Sequence, residues 1–141
     1  MSDEILLDTG ALVSLLDRRQ PRHAEFLAFF EGWEGEVVST DAVLTEATHL
    51  MGRVSGGPAA CLDFFLKGGA ILVPSSSQSL QRSRELMLKF QSLPMDYADA
   101  TLVVLAEDLD TGLILTTDRR DFSVYRRGDR KRFDIRPEYD T

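Results

Sequence analysis

The sequence predicts an α/β fold, with a mostly parallel sheet of about five strands and helices on both of its faces. Three observations favour this fold. Short apolar segments recur along the chain, and segments with helical spacing of their apolar residues separate them. Two apolar segments run into an aspartate, Asp8 and Asp118, where a buried strand would end. The 141 residues suffice for one hydrophobic core, so we expect residues 1–141 to form a single domain.

Residues 4–8 are expected to form the first strand, a short apolar run that an aspartate stops. A short polar turn then leads into the helical pattern of residues 11–16, as when a buried parallel strand is followed by a helix. A second helix is expected with Pro21 in its first turn, where the missing N–H of proline costs nothing. Its wide apolar face ends near Trp33, a side chain expected in the core or in an interface.

The second strand, residues 36–40, precedes a helix that carries an inward-facing acid. Thr40 or Asp41 can cap this helix, which is expected at residues 42–52. Its apolar stripe consists of Val43, Ala47, Leu50 and Met51. Because Glu46 lies beside this stripe, its carboxylate is expected to be directed toward the protein.

The remaining strands alternate with helices in the same way. A helix is expected at residues 59–67 and a third strand at residues 70–73. Serines 75–77 are loop and capping residues of a long amphipathic helix. The apolar face of that helix runs through Leu80, Leu86, Met87 and Phe90. A fourth strand is expected at residues 112–116, and a fifth at residues 132–135, which alternate like a half-exposed strand at the sheet edge.

The helix that begins after Pro94 opens with two carboxylates. Asp96 suits its N-cap and Asp99 its first turn, where the helix dipole favours negative charge. The apolar stripe behind them is Leu102, Val103, Ala106 and Leu109. Asp99 lies on the same face, so it points inward, and a buried carboxylate needs a partner or a metal ion. The alternative is that the two acids form a capping-box-like pair, and this helix alone does not decide between the two.

The net charge of −7 is unusual for a protein that binds nucleic acid. The distribution of charge is uneven, however, because eight of the sixteen basic residues fall between Arg119 and Arg136. The C-terminal part is therefore locally basic, and a gathering of acids in a metal site would account for much of the negative excess.

Composition excludes several other classes of protein. No apolar run approaches the length of a membrane span, and the acidic N-terminus is unlike a signal peptide, so we expect a cytoplasmic protein without membrane contact. The single cysteine, Cys61, excludes an internal disulfide and is expected to be a small buried apolar residue. Neither His23 nor His49 has another histidine or a cysteine at zinc-ligand spacing.

Four acids from distant segments are expected to meet at one edge of the sheet. Asp8 and Asp118 follow strands, while Glu46 and Asp99 lie on the inner faces of helices that start at the same edge. Two unit charges about 4 Å apart repel by roughly 4 kcal/mol at an effective dielectric constant near 20. Either some of the acids are protonated or a cation lies among them. Oxygen ligands favour Mg²⁺ or Mn²⁺, and such a centre suits hydrolysis of a phosphodiester.

Four ordered motifs, which together cover nearly the whole chain, carry a family resemblance. They are Ile-Leu-Leu-Asp8-Thr-Gly-Ala-Leu, Thr40-Asp-Ala-Val-Leu-Thr-Glu46, Met-Asp-Tyr-Ala-Asp99-Ala and Leu-Thr-Thr-Asp118-Arg-Arg-Asp-Phe122. The chain resembles PIN domains, and the residues of its motifs are similar to those of VapC-type toxins of bacterial toxin–antitoxin modules. The resemblance implies a three-layer, Rossmann-like fold and an endoribonuclease that depends on Mg²⁺ or Mn²⁺. It also implies dimerisation and inhibition by a cognate antitoxin.

The resemblance assigns roles to individual residues. Asp8, Glu46 and Asp99 match the three family acids that hold the metal, and Asp118 matches a fourth with a more variable role. We expect Asp8 and Asp99 to bind the principal ion and Glu46 to bind it or position the attacking water. Asp118 would complete a second metal site or orient water. Asp96 matches an additional acid, to which we give a supporting or capping role.

Other residues of the motifs have less defined roles. Thr9 and Thr116 can supply hydroxyls to the site, or they are structural threonines at strand ends. Gly10 stands where many family members have serine or asparagine, so a polar contact near the metal is expected to be missing. Arg119 and Arg120 are candidates for binding RNA phosphates, and the alternative is a solvated face or an antitoxin-binding surface. Asp121 is expected to be a turn residue or helix cap.

A non-catalytic PIN fold that binds RNA or a protein is the main rival hypothesis. Retention of all four acids argues against it, because an inactive module has little need to keep repelling charges together. A phosphate-accepting receiver domain needs a lysine after a late strand. The only basic residues within 116–122 are arginines. Dinucleotide binding is disfavoured since the first strand is not followed by the spaced glycines that a pyrophosphate requires.

Overall fold

The sheet of the protein has five strands in a computed structural model that describes residues 3–139. They are β1 (Glu4–Leu7), β2 (Glu36–Thr40), β3 (Ile71–Val73), β4 (Leu113–Leu115) and β5 (Asp134–Arg136). Every neighbouring pair is parallel, and the order across the sheet is β3-β2-β1-β4-β5. The predicted parallel sheet is confirmed, with β5 at one edge.

Helices fill the connections between these strands. Within residues 3–139 they are α1 (Thr9–Leu16), α2 (His23–Gly32), α3 (Asp41–Leu50), α4 (Gly57–Leu66), α5 (Ser77–Lys89), α6 (Tyr97–Leu109) and α7 (Arg119–Val124). Asp96 caps α6 and Thr40 caps α3, since each side chain accepts a hydrogen bond from a backbone N–H in the first turn. Both caps were expected from the sequence.

The central strand β1 divides the core into two layers. Successive side chains of a strand point to opposite faces of the sheet. Leu6 accordingly packs with buried residues of α5, α6 and α7, whereas Ile5 and Leu7 pack with residues of α1, α2, α3 and α4. Residues 100–106 of α6 are all buried, which makes α6 the most deeply embedded helix of its layer. Helices therefore cover both faces of the sheet, as predicted.

The chain order of the strands reverses at β1. From β1 the chain adds β2 and β3 on one side, and then returns to add β4 and β5 on the other. In open parallel sheets the crevice beside such a switch point, at the carboxyl ends of the strands, is where ligands bind. Asp8 directly follows β1, and Asp118 lies three residues beyond the end of β4.

The structure corrects three local expectations. Pro21 lies before α2, which begins at His23, because residues 17–20 form a turn in which the Asp17 carboxylate accepts a hydrogen bond from the Arg19 backbone N–H. Leu50 is 57% exposed, since it is the last residue of α3 and extends beyond the core. Leu80, near the start of α5, is also largely exposed.

Two expectations about single residues can also be compared with the structure. Cys61 is buried, with its Sγ 3.6 Å from the Sδ of Met51, and has the role of a small apolar residue. Trp33 is half-buried and stacks on Phe29 with 5.8 Å between the ring centroids. Among the helices of residues 3–139, none is both long and apolar enough to span a bilayer.

Candidate active site

Asp8 is held in a fixed orientation between β1 and α1. Its side chain is buried, with Oδ1 accepting a hydrogen bond from the Thr9 backbone N–H at 2.8 Å. Oδ2 accepts a hydrogen bond from the Thr116 hydroxyl at 2.6 Å, across the junction of β1 and β4. Each carboxylate oxygen thus has one protein donor and keeps a lone pair for another contact.

Thr116 connects Asp8 to the next acid along the sheet edge. Its hydroxyl oxygen accepts a hydrogen bond from the Asp118 backbone N–H at 2.9 Å while donating to Asp8. Asp118 in turn caps α7, because its Oδ1 accepts a hydrogen bond from the Asp121 backbone N–H at 3.0 Å. The capping side chain of this turn is therefore Asp118, and the Asp121 carboxylate is left for other contacts.

Asp99 reaches the same place from the first turn of α6. The Asp96 carboxylate accepts a hydrogen bond from the Asp99 backbone N–H at 2.8 Å, so Asp96 has the capping role. The Asp99 carboxylate does not return a bond to the Asp96 backbone; its Oδ2 accepts one from the Tyr125 hydroxyl at 3.0 Å. Of the two alternatives for this helix, the structure favours an inward-facing Asp99 over a reciprocal capping pair.

Three carboxylates meet closely at this point. Asp99, Asp118 and Asp121 each place one carboxylate oxygen within 4.8 Å of the others. Asp8 lies near enough for its charge to act on Asp99. We call these four residues, Asp8, Asp99, Asp118 and Asp121, the acid cluster.

Glu46 lies at the rim of the acid cluster. It is half-buried on α3 and lines a cleft of about 710 Å³ together with Asp96. Burial is the main cause of the raised pKa of Asp8, and the charge of Glu46 makes a smaller contribution in the same direction. The structure thus brings all four family-matched acids to one edge of the sheet, with Glu46 the most peripheral.

Burial and mutual repulsion raise the pKa values of the two innermost acids. Burial raises the pKa of Asp8 to about 6, with the charges of Asp118 and Glu46 adding to it and two hydrogen bonds opposing it. Burial raises the pKa of Asp99 to about 8, and the charges of Asp8 and Asp96 contribute to this rise. The cluster therefore favours either bound protons or a cation that replaces them.

Tyr125 is a site residue that the sequence analysis missed. It is fully buried and packs edge-on against Phe90 and Phe122, with centroid separations of 5.3 and 5.1 Å. Burial and the adjacent Asp99 carboxylate raise the pKa of its hydroxyl, so it stays protonated and donates. The spacing of three between Phe122 and Tyr125 indicates a shared apolar face, but nothing in the local sequence indicates that the hydroxyl reaches α6.

The space beside Gly10 is occupied by a hydroxyl. A Cβ built on Gly10 would lie 2.1 Å from the Thr117 Oγ1, so Thr117 fills the volume that a side chain at position 10 would need. A polar group is therefore present next to Gly10, although it comes from another segment. The Thr9 hydroxyl is buried and has no hydrogen-bond partner within residues 3–139.

The basic C-terminal part of the chain is split between two regions. Arg127 and Lys131 pair with Asp110, the C-cap of α6, which lies at the amino edge of the sheet, away from the acid cluster. Arg119 and Arg120 open α7 beside the cluster instead. Burial raises the pKa of Asp121, and the positive charge of Arg120 opposes that rise.

The donor set fits a hard divalent cation. The acid cluster offers carboxylate oxygens only, and these are the ligands that Mg²⁺ and Mn²⁺ prefer. Asp8 and Asp99 each have one or two oxygens already oriented by protein donors, which reduces the reorganisation that binding a cation would require. Such a centre could neutralise a phosphate and activate water.

Comparison with known proteins finds a family match over most of the chain. The family model for the PIN domain matches residues 5–128. Ribonuclease VapC26 of Mycobacterium tuberculosis (strain ATCC 25618 / H37Rv) is 30% identical over 135 residues, which cover 94% of this chain and all of that protein.

Solved structures of similar fold include those of VapC20 and VapBC2. Mycobacterium tuberculosis VapC20, described as a toxin that cleaves the sarcin–ricin loop, superposes with a TM-score of 0.72 at 16% identity, over 78% of this chain and 86% of that one. VapBC2 of Rickettsia felis, bound to a DNA fragment from its promoter, gives a TM-score of 0.68 at 14% identity, over 96% of this chain and 100% of that one. At these identities the likeness concerns the fold.

Proposed function

The chain belongs to the PIN domain family, and from this membership we propose that it is a VapC-type endoribonuclease that hydrolyses RNA phosphodiester bonds with a divalent metal ion. One observation carries the proposal. Carboxylates of Asp99, Asp118 and Asp121 converge within 4.8 Å, beside the buried Asp8, at the switch point of a parallel sheet. Such a convergence of repelling charges is useful where a cation and a phosphate are to be bound.

The proposed roles follow from the position of each side chain. Asp8 and Asp99 hold the principal ion, because they are the most buried acids and protein donors fix their carboxylates. Asp118 completes a second metal site or orients water. Glu46, at the rim, binds the ion or positions the attacking water. Asp121 is proposed as a further metal ligand, because one of its carboxylate oxygens lies within 4.8 Å of oxygens of Asp99 and Asp118.

The ion itself is proposed to be Mg²⁺ or Mn²⁺, on the basis of the oxygen-only donor set. When bound, it would lower the pKa of a coordinated water and neutralise charge on the phosphate. The chain's own contribution is preorganisation. Thr9 and Thr116 hold Asp8, the cap of α7 holds Asp118, and Tyr125 holds Asp99, so the carboxylates need little rearrangement during the reaction.

The biological setting is proposed by analogy with the relatives. As a VapC-type protein, the chain would act as the toxin of a type II toxin–antitoxin module, on RNA in the cytoplasm, as one domain of residues 1–141. A cognate antitoxin would bind and inhibit it, and two copies would form a homodimer. The structures of a toxin–antitoxin complex from Klebsiella pneumoniae and of VapBC2 share its fold and support this assignment.

The rival hypothesis is a PIN fold that binds RNA or protein without cleaving it. It gives the buried acids no role in a reaction. In such a module, the strongly raised pKa values of Asp8 and Asp99 would be a penalty without function. Replacing either acid would then leave RNA binding unchanged, and neither the wild type nor the variants would cleave RNA.

The test compares RNA cleavage by the wild type and by Asp8→Asn and Asp99→Asn variants. Each variant removes a charged ligand with little change in volume, so we expect at least a roughly 100-fold loss of cleavage of a fluorescently labelled RNA in Mn²⁺. Asp63→Asn is the matched control, because Asp63 is an exposed acid of α4. EDTA should abolish wild-type cleavage. Equal metal-dependent cleavage by wild type and Asp8→Asn would show that the acid cluster does not carry out the reaction and would refute the proposal.

A further inference from the structure

A second cleft adjoins the acid cluster. Its volume is about 540 Å³, and Gly10, Arg22, Leu50, Thr117 and Tyr139 are among the residues that line it. Gly10 lies two residues after Asp8, and Thr117 directly precedes Asp118, so two segments that carry acids of the cluster also line this cleft. The proposed chemistry makes no use of it.

Two arginines in this region are held by the same aromatic ring. The guanidinium carbon of Arg22 lies 3.7 Å from the centroid of the Tyr139 ring, and that of Arg119 lies 4.8 Å from it. Contact with a ring occupies the face of a guanidinium and leaves the N–H groups at its edge free to donate. Tyr139 thus fixes the position of both cations without neutralising either charge.

Each guanidinium keeps donors that could bind an anion. Arg119 donates one hydrogen bond, from Nη1 to the Pro137 carbonyl at 2.9 Å, and makes no ion pair with an acid of residues 3–139. Arg22 donates from Nη1 to the Glu25 carboxylate at 2.7 Å, and its side chain remains 40% exposed. An arginine has five N–H donors, so most of them are free on both residues.

The charge of this cleft is complementary to that of the acid cluster. An RNA strand with its scissile phosphate at the acids must place a neighbouring phosphate in one of the adjoining clefts. The cleft of Glu46 is lined by three acids, Asp41, Glu46 and Asp96. The cleft of Arg22 is lined by that arginine and by Tyr139, whose ring also contacts the guanidinium of Arg119. Its lining includes the exposed Leu50, against which a ribose or base can pack.

We propose that Arg22 and Arg119, positioned by Tyr139, bind the backbone phosphate of the RNA nucleotide next to the scissile bond. The inference rests on the proposed function, since it takes RNA as the substrate. It assigns the strand a path across the site, with the flanking phosphate on the Gly10 and Thr117 side. It also gives Arg119 a partner, Arg22, that comes from the segment before α2 and that no local motif indicates.

The experiment measures binding of a fluorescein-labelled single-stranded RNA by anisotropy, in EDTA, as a function of salt concentration. Each phosphate contact to a single strand contributes about 0.7 to the slope of log affinity against log salt. Because the two arginines share one phosphate, we expect the double variant Arg22→Gln/Arg119→Gln to lower the magnitude of the slope by about 0.7, and each single variant by less than that. Each single variant should bind roughly tenfold more weakly, as for loss of one hydrogen bond to a charged group.

Arg130→Gln is the matched control. Arg130 is exposed and belongs to the loop at the amino edge of the sheet, where Arg127 pairs with Asp110. The control removes the same charge and should leave the slope at the wild-type value. A slope unchanged in the double variant, or lowered equally by Arg130→Gln, would overturn the subsite. The subsite would also be overturned if the arginine variants bound a decaglutamate peptide as much more weakly than the wild type as they bind RNA. The arginines would then recognise negative charge in general and not an RNA phosphate.

Tyr139 is tested by two substitutions with different expected results. Tyr139→Phe keeps the ring and should bind RNA like the wild type, whereas Tyr139→Ala should lower the salt slope as the double arginine variant does. Thermal unfolding of each variant checks that the fold is retained. Because binding is measured without metal, an absence of cleavage by the wild type would count against the proposed function and leave this measurement valid. Wild-type binding by Tyr139→Ala would refute the positioning role.

Discussion

At the scale of single residues, the hydrogen bond from Tyr125 to Asp99 explains how one carboxylate of the site is oriented. The Tyr125 hydroxyl donates a hydrogen bond to the Oδ2 of Asp99 and leaves Oδ1 of that carboxylate without a protein donor among residues 3–139. The ring is clamped by Phe90 and Phe122, which leaves the hydroxyl little freedom to move away. An aromatic core residue thereby sets the orientation of a carboxylate on another element.

We expect Tyr125→Phe to keep the fold and to weaken metal binding. The variant retains the packed ring but loses the donor that orients Asp99, and loss of such a contact lowers metal affinity by roughly tenfold or more. Isothermal titration of the metal-free protein with Mn²⁺ measures the effect. Tyr97→Phe is the control, because the Tyr97 hydroxyl contacts the Ser75 hydroxyl outside the acid cluster. Identical Mn²⁺ affinity in wild type and Tyr125→Phe would show that the contact is only structural.

At the scale of elements, the end of β4 connects the site to the sheet. The Thr116 hydroxyl donates to the Asp8 carboxylate and accepts from the Asp118 backbone, so one side chain joins the ends of β1 and β4 to the start of α7. This single residue determines how the two aspartates that follow the strands face one another.

Thr116→Val should be clearly destabilising. It preserves the shape of the side chain but leaves the buried Asp8 Oδ2 and the Asp118 N–H without their partner, at a cost of about 1–3 kcal/mol per unsatisfied group. Urea denaturation of the metal-free protein measures the loss. Thr45→Val removes an exposed hydroxyl that bonds to a carbonyl within α3, and it should change stability by less than about 0.5 kcal/mol. Equal stability of the wild type and the Thr116→Val variant would contradict this account.

The elements themselves were largely predictable, and their exact ends were not. Apolar runs identify the strands because a parallel strand is buried on both faces, and caps such as Thr40 and Asp96 identify helix starts. Pro21 was placed wrongly in the helix because a turn at Asp17 comes first and α2 begins only at His23. That turn depends on a side-chain hydrogen bond, which the spacing of apolar residues does not reveal. The exposure of Leu50 depends on where α3 ends relative to its neighbours.

The candidate site was predictable as a gathering of acids, and less so in its detail. The alternation of strands and helices indicates which acids share an edge, so the proximity of Asp8, Asp99 and Asp118 follows from topology. Asp121 and Tyr125 come from α7 and its C-cap, and the short pattern of this six-residue helix could not be distinguished from a turn. The Arg22 contact with Tyr139 joins residues from opposite ends of the chain and has no local signal.

At the scale of the whole molecule, the acid cluster opposes folding unless it is neutralised. The folded protein holds protons on Asp8 and Asp99 at pH values where the unfolded chain, with an ordinary aspartate pKa near 3.8, has released them. The native state then binds more protons than the unfolded state, so stability falls as pH rises. This contribution is complete below about pH 4 and is lost as pH passes the raised pKa values of about 6 and about 8.

We expect the melting temperature of the metal-free wild type to fall between about pH 4 and pH 8 relative to that of Asp99→Asn, which lacks the Asp99 titration. Mg²⁺ or Mn²⁺ should raise the melting temperature of the wild type again at about pH 8, since a ligand at about a hundred times its Kd adds about 2.7 kcal/mol to the free energy of unfolding. Differential scanning fluorimetry with and without EDTA measures both effects. Parallel pH profiles for the two proteins, with no response to metal, would contradict the expectation.

The strand order has one further effect, on folding. Because β4 pairs with β1 although β2 and β3 lie between them in the chain, Asp118 and Asp121 meet Asp8 only after distant segments have come together. A chain in which β1 and β4 have not paired therefore cannot assemble the acid cluster, and its carboxylates stay apart and do not repel one another. The electrostatic penalty of the site is thus a property of the completed sheet.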